Sequence, residues 1–202
     1  MLDQNPDDMK GIKLFAASFF AAAFLSFTPE NKKLIVIDAG HGGTDMGSTR
    51  EGVYEKDIVL RIGKEIQKFN STQNTYEVIL TRDYDTESPL SDRTTLINKL
   101  NPEMVISLHM NSSPHKESER SGQEIFTQNT DASRKLAEKI SQKFNPSFIA
   151  GEKNLHILRE SKAPTVLVEL GFMNSTKDRE YLTSEKGRQE IARKFTEIFK
   201  EY

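Results

Sequence analysis

The chain of 202 residues predicts an α/β fold: a single domain with a mostly parallel or mixed central sheet and helices on both faces. Three observations point there. Nearly unbroken apolar runs, LIVID at 34–38, MVISL at 104–108 and TVLVEL at 165–170, have the hydrophobicity of strands buried on both faces. Segments with apolar residues at helical spacing alternate with them. The composition, 36% hydrophobic and 29% charged with 11 Gly and 7 Pro, is that of a globular protein, neither disordered nor many-spanning in a membrane.

The elements follow in order. After the LIVID strand, Ile58, Val59, Ile62, Ile66 and Phe69 mark a helix over 57–69, with Asp57 expected as its N-cap. YEVILT (76–81) predicts the next strand, and residues 91–100 a helix stopped by Asn101-Pro102. MVISL is a third strand, and 123–127 alternates like a strand nearer an edge. Ala132, Leu136, Ile140 and Phe144 give a helix, TVLVEL another buried strand. Ile191, Phe195, Ile198, Phe199 and Tyr202 line the inner face of a C-terminal helix.

One stretch breaks the polar average. LFAASFFAAAFLSF at 14–27 runs 14 residues without a charge. A bilayer span takes roughly 20 residues, so the run fits the apolar core of a secretory signal peptide better. The acids of LDQNPDD make a poor flank, whereas a start at Met9 puts Lys10 and Lys13 ahead of the run. The expected organisation is an N-terminal extension plus signal peptide at 1–27, a polar linker at 28–33 and one domain at 34–202. A buried N-terminal helix and an uncleaved membrane anchor remain as other readings of the run.

Composition narrows the chemistry. There is no Cys, which excludes disulfides, thiol nucleophiles, iron–sulfur clusters and Cys-ligated zinc. A net charge of −2 offers no basic field for nucleic acid. A metal would have to be held by carboxylates and the four His: His41, His109, His115 and His156. Polar groups gather just past the strand ends: Asp38-Ala39-Gly40-His41-Gly42-Gly43 after LIVID, His109-Met110-Asn111 after MVISL, and Glu169 within TVLVEL. If these strands are parallel, His41, His109 and Glu169 share a rim, Glu55, ahead of the first helix, can face it too, and a metal site is expected at the carboxyl ends of the strands. Each has a blander role available: a hydrogen-bonded loop His, a first-turn carboxylate favoured by the helix dipole, turn-forming glycines. Glu169 resists such a role, because a carboxylate within an apolar strand is costly unless paired or bound to metal. Two His and one Glu suffice for a catalytic zinc with a fourth position for water, and leave the second Glu as general base.

Five ordered stretches sharpen this. IVIDAGHGGTDMGSTREGVYEKDIVLRIG, VILTRDYDTESPLSDRTTLIN, MVISLHMNSS, GQEIF and ILRESKAPTVLVELGFMNS resemble, in sequence and in order, the motifs of the zinc-dependent N-acetylmuramoyl-L-alanine amidases, the Amidase_3 family. The resemblance runs from Leu34 to the C-terminus, about 169 of 202 residues. It departs at Ala39, where Pro is common, and at Met173-Asn174-Ser175, where the Asn is shifted.

The resemblance implies one Zn²⁺ per chain held by His41, Glu55 and His109, with Glu169 as the catalytic carboxylate. It implies cleavage of the amide between the lactyl group of N-acetylmuramic acid and L-alanine of the peptidoglycan stem. The expected partner is peptidoglycan or muropeptides, not nucleic acid. The expected location is the periplasm or envelope, for a monomer with no membrane span in its mature form. His115 and His156 match no ligand position; His115 reads as solvated, and His156 as structural or lining a groove. Some relatives carry an inserted helix that blocks the zinc, for which residues 145–155 leave little room. Two other readings stay open: a zinc peptidase acting on the stem peptide, and an inactive peptidoglycan-binding regulator.

Overall fold

A computed structural model describes residues 32–72, 75–144 and 147–202. The apolar run at 14–27, Met9 and most of the 28–33 linker lie outside the described residues. Chain order begins with β1 (Lys33–Ala39), the short hairpin β2 (Thr49–Arg50) and β3 (Val53–Tyr54), α1 (Glu55–Asn70), β4 (Tyr76–Leu80) and α2 (Leu90–Leu100). Next come β5 (Met104–Asn111), β6 (Gln123–Thr127), α3 (Asp131–Lys143) and β7 (Ser147–Glu152). The remainder is α4 (His156–Glu160), β8 (Thr165–Phe172), α5 (Thr176–Thr183) and α6 (Glu185–Glu201).

The main sheet has the order β4-β1-β5-β8-β6-β7. β4, β1, β5 and β8 run parallel, β6 is antiparallel to β8, and β7 is parallel to β6. The expected mixed sheet is therefore present, and the strands that carry the candidate residues are parallel and adjacent. Strand 123–127 lies one place in from the edge, which β7 occupies.

Side chains alternate between the two faces, as the pleat requires. Ile35 and Ile37, Ile106 and Leu108, and Val166 and Val168 face α1, α3 and α6, where they meet Ile58, Ile62, Ile66, Leu136, Ile140, Phe195 and Phe199. Val36, Val105 and Leu167 face the other way, onto Ile97 of α2 and Ile157 and Leu158 of α4. The second cover is smaller. His109 and Glu169 extend that same face toward the carboxyl ends of β5 and β8, where α2 and α4 leave it open.

One local expectation is corrected. Asp57 does not cap α1: the N-cap is Tyr54, without a side-chain hydrogen bond, and Glu55 is the first helical residue with Asp57 in the first turn. Both acids still complement the positive end of the helix. α2 ends where expected: Asn101 takes the left-handed conformation (φ 47°) and donates its N–H to Ile97 O, which makes the stop before Pro102.

Candidate metal centre and active site

The turn after β1 delivers His41 in a left-handed conformation (φ 60°). α1 delivers Glu55 in its first turn, and β5 delivers His109 near its carboxyl end. Their ligand atoms lie within 4.8 Å of one another. Glu55 Oε1 sits 3.0 Å from His41 Nε2 and 3.0 Å from His109 Nδ1. Those two ring nitrogens are 3.2 Å apart.

Glu55 is 2% exposed and fully engaged. The Met110 N–H donates to its Oε1 at 2.9 Å and the Ser48 N–H to its Oε2 at 2.7 Å. Burial works against its charge, but hydrogen bonds from the two imidazoles prevail and hold its carboxyl well below the usual carboxylate range. Burial likewise disfavours a charged His41, yet Glu55 and Asp45 push its pKa up to about 9. Surroundings that stabilise an imidazolium this strongly also stabilise a metal cation. Asp45 accepts from His41 Nδ1 at 2.8 Å, which directs Nε2 toward the cluster.

Glycines make room for this convergence. A Cβ on Gly40 would lie 2.3 Å from the His109 ring, so only Gly lets the turn pass beneath that imidazole. Gly47 has φ 64°, and a Cβ there would lie 2.5 Å from Glu55 Oε2.

Behind the His41 turn lies a buried clamp. Asp38 accepts from Thr81 Oγ1, from Ser107 Oγ at 2.7 Å and from Arg93 Nη1 at 2.8 Å. Arg93 also donates to the carbonyls of Ala39 and His41, both at 2.6 Å. Arg82 donates to those of Ala39 at 2.9 Å and Gly40 at 2.8 Å. Two guanidinium groups thus fix the carbonyls of three successive residues and hold the turn in the shape His41 needs.

Glu169 stands beside this cluster as the Cα partner of His109 in the β5–β8 ladder. Its Oε2 is buried and has no hydrogen-bond partner. Burial pushes its pKa up to about 7, with Glu55 and Glu124 adding to the rise and His109 and Lys153 opposing it. Glu124 is its partner across β6 and accepts from Asn111 Nδ2 at 2.6 Å and from Arg120. A carboxyl poised near neutrality can take and return a proton.

The structure brings together His41, Glu55, His109 and Glu169. It keeps the remaining His apart. His115 is exposed in the loop after β5. His156 begins α4, with Nε2 3.4 Å from Thr94 Oγ1, and belongs to the α2–α4 contact. The sequence marks no role for Asp45, Arg82, Arg93 or Glu124. The one available signal was Asp38, an acid at the end of an apolar strand and in need of a buried partner.

The family model for N-acetylmuramoyl-L-alanine amidase, Amidase_3, matches residues 35–200. The endolysin of Bacillus phage SPP1 is 30% identical over 168 residues, covering 79% of this chain and 62% of the endolysin. The N-acetylmuramoyl-L-alanine amidase CwlM of Bacillus licheniformis is 32% identical over 163 residues, covering 79% and 64%. The chain thus spans somewhat less than two thirds of either relative. The crystal structure of an N-acetylmuramoyl-L-alanine amidase from Clostridium difficile 630 matches with a TM-score of 0.79 at 29% identity, over 85% of this chain and 97% of that one. The family match begins in β1 and ends in α6, so it takes in the whole cluster, and the chain belongs to the Amidase_3 family of N-acetylmuramoyl-L-alanine amidases.

Proposed function

We propose that the chain is a zinc-dependent peptidoglycan hydrolase that cleaves the amide between the lactyl group of N-acetylmuramic acid and L-alanine of the stem peptide. One observation carries the reading: three donor atoms of the type and spacing suited to zinc converge beside a buried carboxyl with no partner of its own. His41, Glu55 and His109 would hold one Zn²⁺, with both imidazoles neutral and Asp45 keeping the proton of His41 on Nδ1. A zinc ion there supplies Lewis acidity to the scissile carbonyl and acidity to a water.

The other steps belong to the protein. Glu169 takes the proton of the attacking water and returns it to the departing alanine nitrogen, because an amide anion is a very poor leaving group. Its Oε2, buried and without a hydrogen-bond partner, is free for both transfers. The clamp of Arg82 and Arg93 keeps the His41 turn from relaxing, so the geometry exists before substrate arrives.

In this reading residues 34–202 are the catalytic domain, 28–33 a linker and 1–27 an extension with an export signal from a start at Met9. The enzyme works as a monomer in the periplasm or cell envelope, on peptidoglycan or muropeptides. A relative from Staphylococcus saprophyticus, 29% identical over 182 residues, is named a probable cell wall amidase, which supports that location. Residues 147–152 form strand β7, so the space between α3 and α4 holds no blocking helix among the described residues, and activity without a partner is expected.

The test is incubation of the purified protein with muropeptides, with and without a chelator, read by mass spectrometry. Release of intact stem peptide with a free L-alanine amine, abolished by chelation, is the expected result. Shortened peptides still attached to sugar would make it a stem peptidase, and binding without turnover a regulator.

A further inference from the structure

We propose that a cavity of about 420 Å³ beside the metal centre is a saccharide subsite that takes the lactyl-bearing amino sugar, while the peptide lies on the opposite side across β8 and β6. The inference rests on the reading of Glu169 as the proton donor to the leaving nitrogen.

The sheet order supplies the first argument. β5, with His109, lies between β1, whose end leads to His41, and β8, which carries Glu169. An amide whose carbonyl meets the cluster has its acyl part on one side and its nitrogen on the other. The nitrogen must face Glu169 to receive the proton, so it lies over β8. The acyl part, a lactyl ether on a sugar ring, then lies over β1. The cavity begins there: it is lined by His41 and His109, does not include Glu169, and extends to Glu87, Pro89 and Leu90.

The lining supplies the second. Thr44, Asp45, Glu87 and Ser88 provide hydroxyl and carboxylate oxygens suited to sugar hydroxyls and an acetamido N–H. Leu90, the first residue of α2, is 56% exposed, an apolar surface for the C–H face of a pyranose or for an acetyl methyl. The cation of this wall, Arg93, is spent on Asp38 and on the carbonyls of Ala39, His41 and Ser88. The opposite side carries Lys153, exposed and 4.4 Å from the Phe126 ring, whereas Arg120 there is paired with Glu124. An acid-lined, cation-poor cavity suits an uncharged polyol, and Lys153 gives the other side a cation for a carboxylate of the stem peptide.

Two substrates test this: N-acetylmuramoyl-L-alanyl-D-isoglutamine and its sugar-free counterpart, N-lactyl-L-alanyl-D-isoglutamine. In Leu90→Ala and in Glu87→Gln, the kcat/KM ratio of the first to the second should fall by about 3–10-fold, the worth of one or two lost contacts. The change should sit in KM. Lys153→Ala should lower both rates without moving the ratio. A second readout needs no turnover: in Glu169→Gln, the muramoyl dipeptide should shift the Leu90 methyl resonances and the lactyl dipeptide should not. An unchanged ratio in both cavity variants, or equal methyl shifts from both ligands, overturns the subsite. Should the unaltered protein cleave neither substrate while the sugar-specific shift persists, the amidase reading fails and the subsite stands.

Discussion

His109 and Glu169 are Cα partners across the parallel β5–β8 ladder, with side chains on the same open face of the sheet. One joins the ligand cluster, and the other keeps an unpartnered carboxyl oxygen beside it. In the proposed mechanism this single ladder pair divides metal binding from proton transfer. Glu169→Gln keeps the shape and removes the base. It should retain zinc while turnover falls roughly 10²–10⁴-fold, in kcat rather than KM. Metal content and steady-state kinetics on the same sample check this, and loss of metal would reassign Glu169 as a ligand.

The ligand set has its own test. His41→Ala, His109→Ala and Glu55→Gln should each lose most bound zinc, measured by metal analysis after dialysis, whereas His115→Ala should keep it. Excess zinc should restore part of the activity of Glu55→Gln and none of that of Glu169→Gln. Equal zinc in all the variants would refute the assignment.

The buried pair of Asp38 and Arg93 should govern acid stability. Burial raises the Asp38 pKa, but Arg93, Ser107 and Thr81 outweigh it and leave the folded value below 3.8. A carboxyl depressed on folding contributes stability that is present above its unfolded pKa and is lost as pH falls through the folded one. Urea midpoints should therefore drop steeply below about pH 4, and Asp38→Asn should lack that component. At neutral pH Arg93→Met strands a buried carboxylate and should cost about 3–5 kcal/mol.

Glycine substitutions should separate folding from function. A Cβ on Gly63, inside α1, would meet Leu80 at 3.4 Å and Ile37 at 3.5 Å, ordinary contact distances. Gly63→Ala should stabilise the protein by about 0.5–1 kcal/mol in chemical denaturation, through helix propensity alone. Gly40→Ala should displace the His109 ring and lower zinc affinity, read by competition with a chelating dye.

Much of the fold could be read from the residues because burial on both faces leaves runs such as LIVID and TVLVEL that no surface element would carry. What escaped had no such mark. β7 reads SFIAGE, with Phe148 and Ile149 exposed at an edge, and α5 reads TKDREYLT, mostly polar. α4, five residues long, is too short for periodicity to show. At the site, His41, Glu55, His109 and Glu169 emerged from strand ends and ordered motifs together. The clamp did not, because Arg82 and Arg93 act through main-chain carbonyls, and those partners leave no trace in side-chain type.

The sheet is completed from the inside. β8, its last strand in the chain, lies between β5 and β6 rather than at an edge. Until residues 165–172 have emerged, the β4-β1-β5 portion and the β6-β7 portion have no strand to join them, and Glu169 does not yet exist beside His109. A chain released N-terminus first, from a ribosome or through a membrane pore, therefore carries His41, Glu55 and His109 early and Glu169 late. A chain that stops short of β8 lacks the joining strand as well as α5 and α6, so the core over α1 closes only when the whole polypeptide has been delivered.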